Sequence, residues 1–212
     1  MITVLSPNPP ELEDLIRRAA DGDDAARVDL FAQHRDRLKS VVRVRLDDRL
    51  RGRIDEADVL QEVYLVFAGR LAEYADDPAV PFYLWLRNLA VQRLIDLHRH
   101  HIGAQKRAVS REYSIDRGGG PGASSVHLAN LLLGKLTPVT DAAIRKETRR
   151  MVQEALDDLS TADREVLVLR YFEQLTNDEV AAVLGLSRTA ANNRYVRALA
   201  RFARVVKGLP GL

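Results

Sequence analysis

The chain contains no cysteine, which excludes a disulfide framework, a thiol nucleophile and any cysteine-based metal site. It has no run of about 18 apolar residues, so no membrane-spanning helix is expected. Its first twenty residues set Pro7, Pro9 and Pro10 beside Glu11, Glu13 and Asp14, and lack the basic start and apolar stretch of a secretion signal. Strand-like alternation beyond a few residues is absent, as is any internal repeat. The longest stretch without acid is the last: of 30 Asp and Glu residues, none lies from Gly185 onward. These absences lead to the expectation of a cytoplasmic helical protein without membrane insertion, whose C-terminal part meets something negative.

The 212 residues suffice for one medium domain or two small ones, and 46% apolar with 29% charged residues is the balance of a folded protein. A net charge of +2 is too small to classify the chain, so the placement of charge matters more than its sum. Leu12, Leu15, Ile16 and Ala19 keep a helical period; after a break at residues 21–24, Val28, Phe31, Leu38, Val41, Val42 and Leu46 continue an apolar stripe. A third helix is signalled by Asp55 as cap with Asp58 three residues in, followed by Leu60, Tyr64, Phe67, Leu71 and Tyr74 on one face. Pro81 suits the first turn of a fourth, which ends in Arg99, His100 and His101.

The stretch containing Gly118, Gly119, Gly120, Pro121 and Gly122 reads as a flexible linker, with a short helix over 126–133. Helices then follow over 142–159, 161–172, 177–184 and 188–206. Ser160 with Asp163, and Thr176 with Glu179, have capping-box spacing. The expected division is a lead segment 1–22, a helical bundle 23–102, a linker 103–144, a second helical domain 145–207 and a tail 208–212. The fold class is all-α, two small helical domains joined by the linker.

In the last two helices Val180, Ala181 and Leu184 form an inner face, Gly185 permits a positive φ in the turn, Leu186 points inward and Ser187 caps the following helix. At 100° per residue Ala191, Tyr195, Ala198 and Phe202 face the core, leaving Thr189, Asn192, Asn193, Val196 and Ala200 outward. This is a helix-turn-helix whose second helix suits a major groove. Arg188, Asn192 and Asn193 are the expected base readers, Thr189 a methyl or phosphate contact, and Arg194, Arg197 and Arg201 the phosphate contacts. The competing view, a packing hairpin with a solvated arginine face, leaves the absence of acid unexplained.

With these residues in view the chain resembles bacterial RNA polymerase sigma factors of the extracytoplasmic-function (ECF) class, over about 20–102 and 145–205. The stretch "DEADVLQEVYLVFAGRLAEY" is similar to the family segment that contacts the clamp of the polymerase's largest subunit. That resemblance implies roles for Asp58, Leu60, Gln61, Glu62, Val63 and Phe67. The stretch "FYLWLRNLAVQRLIDLHRHH" resembles the segment that captures the melted promoter strand, matching at Phe82, Trp85, Leu86, Ala90, Asp96 and Arg99. Here Arg87, Asn88, Gln92, Arg93, His98 and Arg99 offer amides and charge to unpaired bases and backbone. Trp85 and Phe82 are assigned to packing. The pair Val91 and Gln92 departs from the family's usual arginine and asparagine, and the recognition helix has Thr189, Ala190 and Asn192 where glycine, threonine and a basic residue are common.

The resemblance implies core RNA polymerase and promoter DNA as partners, with an apolar surface around Leu167, Leu169, Tyr171 and Phe172 meeting the flap of the second-largest subunit. It further implies an anti-sigma factor that occludes both domains. No cofactor, metal or catalytic residue is expected: His98, His100 and His101 lack a completing ligand set, and "GGGPG" is followed by neither Lys-Ser nor Lys-Thr. The alternative function is a helix-turn-helix regulator acting without being a polymerase subunit.

Overall fold

The computed structural model describes residues 8–47, 50–102, 123–135 and 142–206; the Gly118 to Gly122 linker and the 208–212 tail lie outside them. The described residues form α-helices and one π-helical turn, with no strand. Contacts divide the chain into two units, Met1–Pro121 and Gly122–Leu212. Among the described residues no helix is long and apolar enough to cross a membrane.

The first unit holds α1 (Pro10–Ala20), α2 (Asp24–Arg45), α3 (Glu56–Asp76) and α4 (Phe82–Ile102). Helix α1 opens on a proline, with Glu11 and Glu13 at its positive end and Arg17 and Arg18 at its negative end. Gly22, at φ 101°, turns the chain as L side chains rarely can. Asp23 then caps α2, accepting the Ala26 N–H at 3.0 Å and the Arg18 guanidinium at 2.6 Å. The Ala26 N–H first, and Arg18 second, hold its carboxyl below the usual carboxylate range.

Asp55 caps α3 as expected, accepting the Asp58 N–H at 2.8 Å, and the Asp58 carboxylate returns the bond to the Asp55 N–H at 3.0 Å, completing a reciprocal box. The core joins Leu30, Leu38 and Val42 of α2 to Val63, Phe67 and Leu71 of α3 and to Phe82, Leu86 and Leu94 of α4. Burying side chains of this size stabilises by about 1.5–3 kcal/mol each. The Phe67 ring lies 5.5 Å from Phe31 and 6.1 Å from Phe82, and Trp85 stacks on Tyr74 at 4.6 Å, which gives Trp85 the packing role expected of it.

Two local expectations differ. Val28 is 54% exposed, because about 200° of helix rotation separates it from Leu30 and carries it off the core stripe. Pro81 precedes α4 rather than entering it, its carbonyl accepting the N–H groups of Leu84 and Trp85. The first free N–H of α4, on Phe82, is taken by Asn8 Oδ1 at 3.0 Å. Asn8 also donates to the Tyr74 hydroxyl, which in turn donates to the Val80 carbonyl at 2.8 Å. One asparagine ahead of α1 thereby ties the end of α3 to the start of α4.

The second unit holds α5 (Ser125–Lys135), α6 (Ala142–Asp157), α7 (Thr161–Leu167), the π turn Val168–Phe172, α8 (Asn177–Leu184) and α9 (Arg188–Val206). The short helix expected within the linker packs against α6, burying Leu128 and Ala129, while Ser125 donates to Asp157 at 2.6 Å. It therefore stands with the C-terminal unit, ahead of the expected start at 145. The helix expected over 161–172 is α only to Leu167. Beyond it the Glu173 N–H reaches back five residues to Val168, and Gln174 takes φ 55° to end the turn.

Helix α8 opens on the reciprocal Thr176 and Glu179 pair and ends on Gly185 at φ 63°, with the Leu186 N–H closing on the Ala181 carbonyl at 2.9 Å. Ser187 then caps α9, accepting the Ala190 N–H at 3.1 Å.

Candidate nucleic-acid interface

Helix α9 rests on α6, α7 and α8. Ala191 and Ala198 are buried, and Tyr195 and Phe202 are half-buried beside them, so the core-facing sector is the one expected. Thr189, Asn193, Val196, Arg197, Ala200 and Arg204 are exposed. They fall within about 100° on the far side of the helix axis. Because this sector holds one amide, one hydroxyl, two guanidiniums and small apolar groups, it can hydrogen-bond base edges and approach phosphates without an acid in the way.

The remaining candidates lie on the two flanks of that sector. Asn192 is half-buried against α8, where its Oδ1 accepts from Asn177 at 3.2 Å, and Arg188 sits 3.4 Å from Asp178. On the other flank Arg201 donates to Asp163 of α7 at 2.9 Å and Arg194 lies 3.8 Å from the same carboxylate. Of the three arginines expected at phosphates, only Arg197 is without an ion pair among the described residues.

In the first unit the α4 candidates separate by angle. Asn88, Gln92 and Arg99 are exposed and share one stripe about 40° wide. Arg87 is 0% exposed and His98 is buried, its Nε2 accepting the Asp47 N–H at 3.3 Å; both lie about 100–120° around α4 from that stripe, toward the protein interior. Their expected contact with a melted strand is corrected accordingly: the helical period that brings Asn88 and Gln92 outward turns Arg87 and His98 inward. Arg93 is half-buried toward α3, bound to Glu62.

The α3 candidates divide the same way. Asp58 and Gln61 are exposed and Glu62 half-buried, whereas Leu60, Val63 and Phe67 belong to the core and can act on a partner only by holding the helix. Leu65, 65% exposed, and Val66 stand next to Gln61 and Glu62 on the outer side. Their mismatch with the core period of Leu60, Phe67 and Leu71 is the sequence signal that marks them. Around the π turn Leu167, Leu169 and Phe172 are buried and only Tyr171 is exposed, so the apolar surface expected there is mostly interior.

A helix-turn-helix with an acid-free outer face, in a chain whose other unit is a separate helical bundle, defines a DNA-binding protein of transcription. The profile of sigma-70, region 4 matches residues 149–202, which span α6 to α9. Over nearly the full length the chain is similar to the RNA polymerase sigma factor CnrH of Cupriavidus metallidurans, 29% identical over 94% of this chain and 96% of that protein. It is likewise similar to the ECF RNA polymerase sigma factor SigK of Mycobacterium tuberculosis, 29% identical over 89% and 90%. NccH of Alcaligenes xylosoxydans xylosoxydans is 27% identical over 92% and 94%. The solved structure of CnrH in complex with the cytosolic domain of CnrY covers 92% of this chain and 96% of its own at a TM-score of 0.54 and 25% identity. The chain thus carries a sigma-70 region 4 match over 149–202 and is similar along nearly its whole length to RNA polymerase sigma factors, SigK among them of the ECF class.

Proposed function

We propose that the chain is an ECF-class sigma factor that binds core RNA polymerase through the outer side of α3 and directs it to promoters through α9, the exposed stripe of α4 then holding the opened strand. Residues 23–102 carry docking and strand capture in this reading, and residues 145–207 the upstream promoter element. Asp58, Gln61 and Glu62 meet the clamp of the largest subunit, with Leu65 as an apolar contact beside them and Leu60, Val63 and Phe67 as their support. Asn88, Gln92 and Arg99 take the single strand, whose bases and backbone ask for amides and positive charge. Arg188, Thr189, Asn192 and Asn193 read base edges, and Arg197 binds phosphate, with Arg194 and Arg201 contributing to the extent that Asp163 shares them. Tyr171 is the exposed group offered to the flap of the second-largest subunit.

The observation that carries this reading is the acid-free outer sector of α9, which presents Thr189, Asn193 and Arg197 together. The role calls for no catalytic residue in this chain and is performed in the cytoplasm, where polymerase and promoters meet. An anti-sigma partner is also proposed, supported by the CnrH relative being solved with the cytosolic domain of CnrY.

The test is to combine the full chain with core polymerase and a library of random duplexes, then map protected and melted positions. Defined start sites that require the chain support the proposal. Duplex binding without any polymerase complex would overturn it in favour of a free-standing regulator.

A further inference from the structure

We propose that Asp163 is a positioning residue for promoter discrimination: it holds Arg194 and Arg201 against α7, fixing the rotation of α9 and withholding two cations from indiscriminate phosphate binding. This rests on the DNA-binding role proposed above for α9.

Asp163 was expected to complete a capping box with Ser160. Its N–H does donate to Ser160 Oγ at 3.1 Å, but its carboxylate does not return the bond, unlike Asp58 and Glu179 at the starts of α3 and α8. The carboxylate faces α9 instead, with Oδ2 accepting from Arg201 Nη1 at 2.9 Å and Oδ1 lying 3.8 Å from Arg194 Nε. Its side chain is only 15% exposed, so the two arginines come to it, at 33% and 54% exposure.

Arg194 and Arg201 are two turns apart on α9, with Ala198 between them wholly buried. The small residue lets the helices approach, and the two guanidiniums straddle the contact. Two arginines two turns apart, both drawn to one carboxylate of α7, resist rotation about the helix axis, and rotation is what would exchange Asn193 for a neighbour at the base edges. Arg197 and Arg204, on the outer sector, carry no ion pair among the described residues and remain available to phosphate. The acid thus sorts the basic residues of α9 into held and available sets.

The test uses holoenzyme assembled from core polymerase and the full chain, with wild type, Asp163→Asn and Asp163→Glu compared on the best duplex from a random-library selection and on its scrambled counterpart. Asp163→Asn should bind the scrambled duplex more tightly. Its plot of log affinity against log salt should steepen by up to about 2, since each phosphate contact contributes about 0.9. The ratio of selected to scrambled affinity should fall about two- to five-fold, the range expected for exposed ion pairs. Asp163→Glu should restore the slope.

An unchanged slope, or proportional weakening on both duplexes, overturns the proposal, because a merely structural acid would lower both affinities together. If wild-type holoenzyme fails to discriminate the two duplexes, the promoter-binding role of α9 falls and this inference with it. If Asp163→Asn does not fold, Arg201→Gln and Arg197→Gln are compared instead. The held Arg201 should reduce the salt slope less than the available Arg197, and equal reductions would overturn the proposal.

Discussion

Arg93 of α4 donates through Nε to Glu62 Oε2 of α3 at 2.5 Å, joining a residue proposed for polymerase docking to one first expected on the strand-capture face. The hydrogen bond to Glu62 raises the Arg93 pKa above its ordinary value, against the opposing effect of burial. Both side chains are about a third exposed, so solvent screens the pair and its net contribution to stability is below about 1 kcal/mol. Glu62→Gln and Arg93→Gln should each shift urea unfolding by no more than that. A tenfold or larger loss of core-polymerase affinity in Glu62→Gln would therefore report a direct contact. If polymerase affinity changes only as much as stability does, Glu62 serves the bundle and not the docking.

Gly185 sits at φ 63° with nothing within 4 Å of the position a Cβ would take. Gly185→Ala introduces no clash and costs only the left-handed backbone penalty, about 1–2 kcal/mol. Denaturant unfolding should show that loss, while the folded fraction keeps its preference among promoters. A changed preference would mean that the turn adjusts and α9 shifts with it.

Much of this architecture was legible in the chain because its signals are local. The Asp55 and Thr176 caps, the Gly185 turn and the buried face made by Ala191 and Ala198 depend on residues within one or two helical turns. What was missed depends on distant packing. The bond from Asn8 to the first N–H of α4 and the attachment of α5 to α6 join segments whose proximity no periodicity announces. The candidate sites follow the same division: Asn88, Gln92 and Asn193 are exposed as their spacing implies, while Arg87 and His98 were included for their charge although their angle on α4 turns them inward.

Phe67 was expected among the polymerase contacts, yet it is wholly buried with its ring against Phe31, Phe82 and Trp85. Phe67→Ala should destabilise the first unit by about 3–5 kcal/mol through lost transfer energy and the cavity left behind. Circular dichroism melting of this variant, with polymerase affinity corrected for the folded fraction, separates the two roles. Affinity restored by that correction marks a core residue; a remaining deficit marks a contact.

Asp23 supplies the pH dependence at the start of α2. Its pKa is lowered in the folded chain, chiefly by the Ala26 N–H and then by Arg18, so its contribution is fully present above the unfolded value, near 3.8. It is lost as pH falls from there through the lower folded value. Asp23→Asn should accordingly narrow the difference in melting temperature between pH 6 and pH 3, about the span in which such a carboxylate titrates. An unaltered pH profile would show that the cap and the Arg18 pair persist without charge.

Asn193 and Arg197 are both exposed on the outer sector of α9, one turn apart, but their chemistry assigns them different work. An amide presents a donor and an acceptor in fixed relation, which matches one base edge and not another, whereas a guanidinium against the backbone meets the same phosphate at every sequence. Asn193→Ala should therefore cost about 1–3 kcal/mol on the selected promoter, relax preference at one base position and leave the salt dependence unchanged. Arg197→Ala should weaken all duplexes alike and reduce the salt slope by about 0.9. Library selection with each holoenzyme at two salt concentrations measures both quantities together. Relaxed preference in the Arg197 variant, or uniform weakening in the Asn193 variant, would mean that α9 lies in the groove rotated from the pose its outer sector implies.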